Sequence, residues 1–413
     1  MQQRIALALV ALALALAPVR PAPAGEAAPG AVVFDMDTVR HKPGEVEGPD
    51  KTKVPVGTVE LVDGREGKAC RFTFREGAKG GFFTGWAAAT PEWDEAEGLS
   101  FYVKGDGSAS WGGLELIDGS DYGLRYGFCF PIDSTEWTRV FVAWRDLLPE
   151  RSGPLVDAKS GYAPSRFRNV WLGKWYYWRE YPAHAFAIDQ VRLEQRIPGP
   201  PDPPVPDDGL ARVRALVKAG KPVTIVTMGD SLTDKRHWAN REMLWAEALA
   251  ADLKKKCGVE VRLVNPAIGG TTLTQNLILM PRWLKDVPQP DLVTVCFGYN
   301  DWDNGVRGER FAEYLRAGVD RIRRLTGGRA DVLLMTTCPA HGRWETMDEL
   351  AAAVRAVAAE KHTGLADIAA AFRQAGSPDE ALRQGYWAWD KTHLGPRGHA
   401  VVAETVGAAL VGQ

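Results

Sequence analysis

The spacing of apolar and polar positions changes character near the middle of this chain. Before the change, over residues 31–196, short runs alternate apolar with polar residues: CRFTF, GLSFYVKGDGS, GGLELIDGSD, YGFCFPID, WTRVFVAW and FAIDQVRLE, with Gly, Asp and Ser between them. Period-two alternation broken by turn residues predicts antiparallel strands, and a long succession of them predicts a β-sandwich. After the change, from residue 209 to the end, β-branched runs take turns with segments of helical period. Strands are predicted at residues 223–228, 260–264, 292–297 and 332–336, and helices at 241–256, 309–325 and 346–361. In the last of these Met347, Leu350, Val354, Val357 and Ala358 keep a helical spacing and read as core. Pro396 opens a terminal helix carrying Val402, Val406 and Leu410. Strands alternating with helices predict a parallel sheet covered on both faces, a three-layer α/β domain.

Between the two regimes lies IPGPPDPPVPDD, residues 197–208, where dense proline prevents helix and central strand and leaves an extended, semi-rigid spacer. The chain thus divides into a β-sandwich at 31–196, a linker at 197–208 and an α/β domain at 209–413. Residues 1–24 combine an early cation, Arg4, an Ala/Leu-rich run and an Ala22-Pro23-Ala24 exit, the pattern of a secretory signal peptide; the run is short for a membrane span. The expectation is a secreted or periplasmic protein with no span in the mature chain.

Composition narrows the classes. A chain 45% hydrophobic and 25% charged, with a net charge of -2, is an ordinary globular protein and lacks the basic surplus of a sequence-independent nucleic-acid binder. The five cysteines, Cys70, Cys129, Cys257, Cys296 and Cys338, show no CxxC spacing, so they do not form a metal site. Cys296 and Cys338 fall in strand-like runs and read as small buried hydrophobes. Cys70 and Cys129 are open to pairing as one disulfide in an oxidising compartment. The aromatic stretch WLGKWYYWREY, residues 171–181, stands out. Continued as a strand it places Trp171, Trp175, Tyr177 and Tyr181 on one face and Leu172, Tyr176 and Trp178 on the other, for packing in the core, against the second domain, or on sugar rings.

The candidate chemistry lies in four ordered blocks. VTIVTMGDSLTD at 223–234 is a buried strand running into Gly229-Asp230-Ser231, a serine on an expected strand-to-helix turn at the carboxyl edge of a sheet, where open α/β folds bind ligands. NPAIGGTT follows at 265–272, GYND at 298–301 and DKTH at 390–393. In this order the blocks resemble the SGNH hydrolases, also called GDSL esterases and lipases, over about half the chain. The phrases GDG at 105–107, EWTR at 136–139 and AID at 187–189 resemble those of galactose-binding-like jelly-roll domains. The resemblances imply a multidomain chain, an N-terminal all-β jelly-roll sandwich followed by a flavodoxin-like SGNH α/β domain.

A serine hydroxyl needs a base, and the base a partner that orients it. The SGNH resemblance implies Ser231 as nucleophile, His393 as general base and Asp390 as its orienting carboxylate, both presented by one loop. It implies oxyanion donors from the backbone N–H of Ser231, the backbone N–H of Gly270 and the Asn300 side chain, with no metal and no cofactor. Asp230 is expected to bond backbone in the turn, and His399 to serve packing or a cap. Trp302, Trp387 and Trp389 lie beside these blocks and either line a sugar site or serve as wall and core, while His341 is a reserve candidate for a substrate contact.

A secreted hydrolase joined to a possible carbohydrate-binding sandwich implies a carbohydrate esterase removing acetyl groups from an acylated polysaccharide. The competing readings are a broad-range lipase or arylesterase whose sandwich is structural, and a non-catalytic surface binding protein. The glycan, the acyl group and the oligomeric state are left open by the sequence.

Overall fold

In the computed structural model residues 30–412 are described, apart from 49, 88 and 120–122. The signal-like segment at 1–24 lies outside the described residues.

Alternation along the N-terminal strands builds two antiparallel sheets face to face. One runs in the order Thr138–Ala143, Gly98–Gly105, His184–Glu194, Lys68–Phe74, Gly57–Asp63, with Ala31–Phe34 also paired to His184–Glu194. The other runs Leu148–Pro149, Arg125–Pro131, Trp111–Asp118, Phe167–Gly173, Phe82–Trp86, Lys42–Pro43. Every second residue points inward: Leu114 and Leu116, Tyr126 and Phe130, Phe72 and Phe74 meet in one core with Phe83, Phe101 and Phe186. Edge-to-face ring pairs such as Phe74 with Phe83, centroids 5.0 Å apart, fix its geometry.

The residues of opposite parity on the second sheet do not face water. Cys129 packs with Leu277 and Ile278 of the α/β domain, and its Sγ lies 3.0 Å from the Ile278 carbonyl. Glu150, at the end of the short strand Leu148–Pro149, accepts from the Tyr177 hydroxyl at 2.6 Å, and its backbone carbonyl accepts from the Gln275 side chain at 3.0 Å. Asp146 takes both Arg321 and Arg324, and the Tyr314 hydroxyl bonds the backbone of Gly153. One face of the sandwich is therefore an interdomain interface. Cys70 belongs to the inner core and Cys129 to this outer interface, and both are free thiols, so the disulfide left open by the sequence does not form.

The aromatic stretch departs from its strand expectation. The strand ends at Gly173, a single 3₁₀ turn spans Tyr176–Trp178, and Arg179 sits in the left-handed region at φ 65°. Once the chain leaves the sheet, alternation no longer decides which side a residue takes. Tyr177 and Trp178, expected on opposite faces, are both buried against the α/β domain, while Leu172 fills the sandwich core.

The C-terminal sheet is parallel, in the order Val261–Val264, Val223–Gly229, Leu292–Cys296, Asp331–Met335, Gly364–Ala366. Period two divides its side chains between two helical layers. Val226, Met228, Val293, Val295, Val332 and Leu334 pack under Leu273–Ile278, Gly308–Leu325 and Asp348–Glu360. Ile225, Leu292, Leu333 and Met335 pack under Ala211–Lys218, Trp245–Cys257 and Pro396–Val411. Numbered along the chain this is the 2-1-3-4-5 order, whose switch point lies between the first and third strands. The short last strand, Gly364–Ala366, was not among those expected; three residues are too few to show a period. None of the described helices is long and apolar enough to cross a membrane.

Candidate active site

Ser231 leaves the end of the first parallel strand and Asn300 follows the third, so the fold's switch point brings together two blocks separated in the chain by two helical crossovers and the strand between them. The serine is not on a strand-to-helix turn as expected. The next α-helix begins at Trp245, and the intervening residues, with one short turn at Trp238–Asn240, form a loop beside the site. Asn240 pins that loop, donating to the carbonyls of Ser231 and Asp234, each at 2.7 Å. The Asp230 carboxylate accepts from the Leu232 N–H at 3.0 Å, closing the turn that presents the serine.

The loop before the terminal helix brings His393 to this turn. Its Nε2 lies 2.9 Å from Ser231 Oγ and its Nδ1 2.5 Å from Asp390 Oδ2. Asp390 also accepts from the backbone N–H groups of Thr392, at 3.1 Å, and His393, at 3.0 Å. Burial opposes ionisation of Asp390, but these bonds outweigh it and hold its carboxyl below the usual range. A hydroxyl, an imidazole and an ionised carboxylate in one chain of hydrogen bonds can take a proton from the hydroxyl and return it to a leaving group.

Three donors surround the serine. Among the described residues neither the Ser231 nor the Gly270 backbone N–H has a protein acceptor. Gly269, by contrast, spends its N–H on Asp234 Oδ2 at 2.9 Å. Gly270 sits at φ 79°, a backbone conformation that favours glycine, and an added Cβ there would meet nothing closer than Arg179 Nη2 at 3.8 Å. Asn300 Nδ2 donates to the Thr271 carbonyl at 3.0 Å and touches Asp230 Oδ2 at 3.4 Å. The first bond fixes the amide; the long second one leaves an N–H available to an oxyanion. Behind it burial pushes Asp230 up to about 6 and Asp301 up to about 7; Asp301 accepts from the Leu273 N–H at 3.1 Å and thereby holds the end of the Gly270 loop.

Other expectations separate here. Trp302 stacks under Arg307, 3.7 Å from the ring centre to its guanidinium carbon, and Trp387 is buried with its indole N–H on the Pro339 carbonyl. His341 pairs with Asp379 at 2.8 Å. None of these three lines the cleft at Ser231. Trp389 is 81% exposed and stacks on Trp238, which meets His393 edge-on. His399 is buried and accepts from the Trp245 N–H, a packing and capping role.

The structure adds residues that the motifs did not reveal. His237 stacks on His393 with ring centres 4.2 Å apart, and burial beside that ring lowers its basicity. Asp234 holds Arg236 at 3.0 Å, and Arg179, from the sandwich, donates to the Gly269 carbonyl at 2.5 Å. Asp234, Arg236 and His237 follow Ser231 within six residues, a nearness that could have singled them out. Arg179 carried no such signal. Together with Ser231, Gly269, Gly270, Asn300 and His393 they line an open cleft of about 580 Å³.

Residues 227–401 match the GDSL-like lipase/acylhydrolase family. No curated protein matches the chain. Among solved structures, an acetyl xylan esterase from Geobacillus stearothermophilus is 23% identical over 46% of this chain and 94% of its own, with a TM-score of 0.36. A two-domain esterase active on acetylated mannans, crystallised with mannopentaose, is 21% identical over 50% of this chain and 54% of its own, at 0.40. A family 11 carbohydrate-binding module from Clostridium thermocellum, in complex with a mixed-linked tetrasaccharide, is 15% identical over 41% of this chain and 97% of its own, at 0.32. With the parallel sheet and the match spanning all but the first few residues of the GDS block, the C-terminal domain belongs to the GDSL-like lipase/acylhydrolase, or SGNH, family, and the chain is a serine hydrolase acting on esters.

Proposed function

We propose that this hydrolase is a secreted carbohydrate esterase that removes acetyl groups from polysaccharide. The observation that carries the reading is the chemistry of the cleft: beside Ser231 its side chains are Arg179, Asp234, Arg236, His237, Asn300 and His393, with no aliphatic wall. A long acyl chain gains nothing from these side chains, because apolar surface is stabilised only against apolar surface. A short acyl group on a polar, hydroxyl-rich carrier fits. The signal-like N-terminus and the exposed Trp238 and Trp389 pair at the rim agree with a polymeric, extracellular sugar.

In the proposed reaction Ser231 Oγ attacks the acetyl carbonyl while His393 Nε2 takes its proton, and Asp390 stabilises the imidazolium. The carbonyl oxygen becomes an oxyanion facing the N–H groups of Ser231, Gly270 and Asn300. Collapse breaks the bond to the sugar oxygen, which leaves with the proton from His393. Water then attacks the acetyl-enzyme, His393 again taking the proton, and acetate and free serine result. Acetate release from acetylated polysaccharides, set beside rates on aryl esters of increasing acyl length, tests the proposal. A preference for acetyl with activity on polymer is expected. A rate maximum at long acyl chains would make the protein a lipase instead.

A further inference from the structure

The cleft is not built by the hydrolase domain alone. The 3₁₀ turn Tyr176–Trp178 and left-handed Arg179 form a tip that crosses the domain boundary. It is pinned on the far side, where Arg282 donates to the Trp178 carbonyl at 3.2 Å and to Glu180 at 2.6 Å. It is pinned on the near side by Arg179 on the Gly269 carbonyl, next to the free Gly270 N–H. A non-glycine residue at positive φ is uncommon, and the surrounding contacts hold the tip in that shape.

Charge at the tip is unbalanced. Of the cations around the cleft, Arg236 is paired with Asp234, Arg282 with Glu180, and Lys235 with Glu247. Arg179 is exposed and makes that one bond to a neutral carbonyl, with no carboxylate partner among the described residues. Two arginines against one aspartate therefore line the cleft, with Arg179 uncompensated. Beyond the tip the cleft continues as a groove of about 430 Å³ that shares Asp234 and Arg236 with it and has Trp111, Trp178 and Trp283 in its walls. Glu180 and Asp286 also line that groove, Glu180 held by Arg282, and among the described residues neither forms an ion pair with Arg179. A chain with an acetyl group at Ser231 and its neighbouring sugars in the groove would pass the Arg179 guanidinium.

We infer that Arg179, delivered by the sandwich, forms an anion-binding subsite at the entrance of the groove and selects polysaccharides bearing a carboxylate on a sugar near the acetylated one. The planar guanidinium suits a carboxylate because it can donate two parallel N–H bonds while keeping its hold on Gly269. This rests on the carbohydrate-esterase reading and narrows its substrate class to acetylated polyuronates and uronate-bearing chains.

The test compares wild type, Arg179→Gln and Arg179→Lys on acetylated polygalacturonate and on acetylated mannan. The readout is the ratio of kcat/KM on the anionic polymer to that on the neutral one. Loss of one charge-assisted contact is expected to lower that ratio by about tenfold in Arg179→Gln, with Arg179→Lys retaining part of it. In wild type the ratio should also fall as salt is raised, since the contact is exposed. An equal loss on both polymers, or a ratio that moves with neither substitution nor salt, overturns the subsite and leaves Arg179 as a support for the Gly269 turn. Inhibition of aryl acetate hydrolysis by unacetylated galacturonate oligomers, against mannan oligomers, reads the same subsite if neither polymer is deacetylated. Charge-selective inhibition that weakens in Arg179→Gln would then keep the subsite while the polysaccharide reading fails; no such inhibition would sink the subsite by itself.

Discussion

The two domains carry their chemistry differently. In the α/β domain Ser231, Gly270 and Asn300 stand on segments that follow strand ends, which a parallel sheet gathers at one edge, and the loop before the terminal helix brings Asp390 and His393 to them. In the sandwich the strands alternate just as regularly, yet the residue that reaches the cleft, Arg179, comes from a turn where alternation has stopped. Its outer sheet face, which would be free surface on an isolated sandwich, is spent on the neighbouring domain. Regular periodicity places a core; where the functional groups go depends on what the ends of the elements meet.

The sharpest way to break this division of labour is in the α/β domain. Ser231→Ala should lower turnover by about a millionfold with thermal stability unchanged; near-normal activity in the folded variant would remove the proposed nucleophile. Asp390→Asn should cost about ten-thousandfold by disturbing the tautomer of His393. Asn300→Ala should cost about a hundredfold or more in kcat. A raised KM with kcat unchanged would make Asn300 a ground-state binding residue.

Removing the sandwich tests the other side of the comparison. A chain starting near Asp207 keeps all four motif blocks but uncovers the surface that Cys129, Tyr177 and Trp178 bury with Leu277, Ile278 and Trp283, and strands Arg321 and Arg324 without Asp146. The expected outcome is aggregation, or loss of activity even on a small aryl acetate, because a contiguous apolar patch of this kind is poorly tolerated in water. A soluble truncated chain with full aryl esterase activity would show instead that the interface is dispensable.

A subtler effect distinguishes the buried acids of the α/β domain. Asp301 is pushed up to about 7 by burial, against about 3.9 in an unfolded chain. Between those values the folded state keeps a proton that the unfolded state has released, so this group's contribution to stability falls as pH rises from about 4 to about 7 and is constant above. The full difference is ~4 kcal/mol at most. Asp301→Asn removes that dependence while Asp230 and Asp331, both at about 6, contribute in either protein, so the melting temperature should decline less between pH 5 and pH 8 in the variant than in wild type. An identical slope in the two proteins would mean that Asp301 does not hold its proton in the fold.

The smallest effect is expected at the rim. Trp389→Ala, at an exposed position, should shift stability by less than about 0.5 kcal/mol. If the Trp238 and Trp389 stack carries sugar, it should lower kcat/KM on polymer by severalfold while sparing an aryl acetate. Equal rates on the polymer would leave the pair as surface.

By itself the sequence determined the two domains' classes and the four blocks of the site. The classes follow from local chemistry, a period of two or of helical type, and the blocks from their resemblance to the SGNH pattern. The strand order and the switch point that joins Ser231 to Asn300 required the folded sheet, because pairing between strands is not encoded in the spacing of either. Tertiary structure alone decided that Cys70 and Cys129 lie on opposite sides of a sheet, that Trp302, His341 and Trp387 stay out of the cleft, and that Arg179 enters it. Each of these is a question of which surface meets which, and a residue's own neighbours in the chain carry no record of a partner ninety positions away.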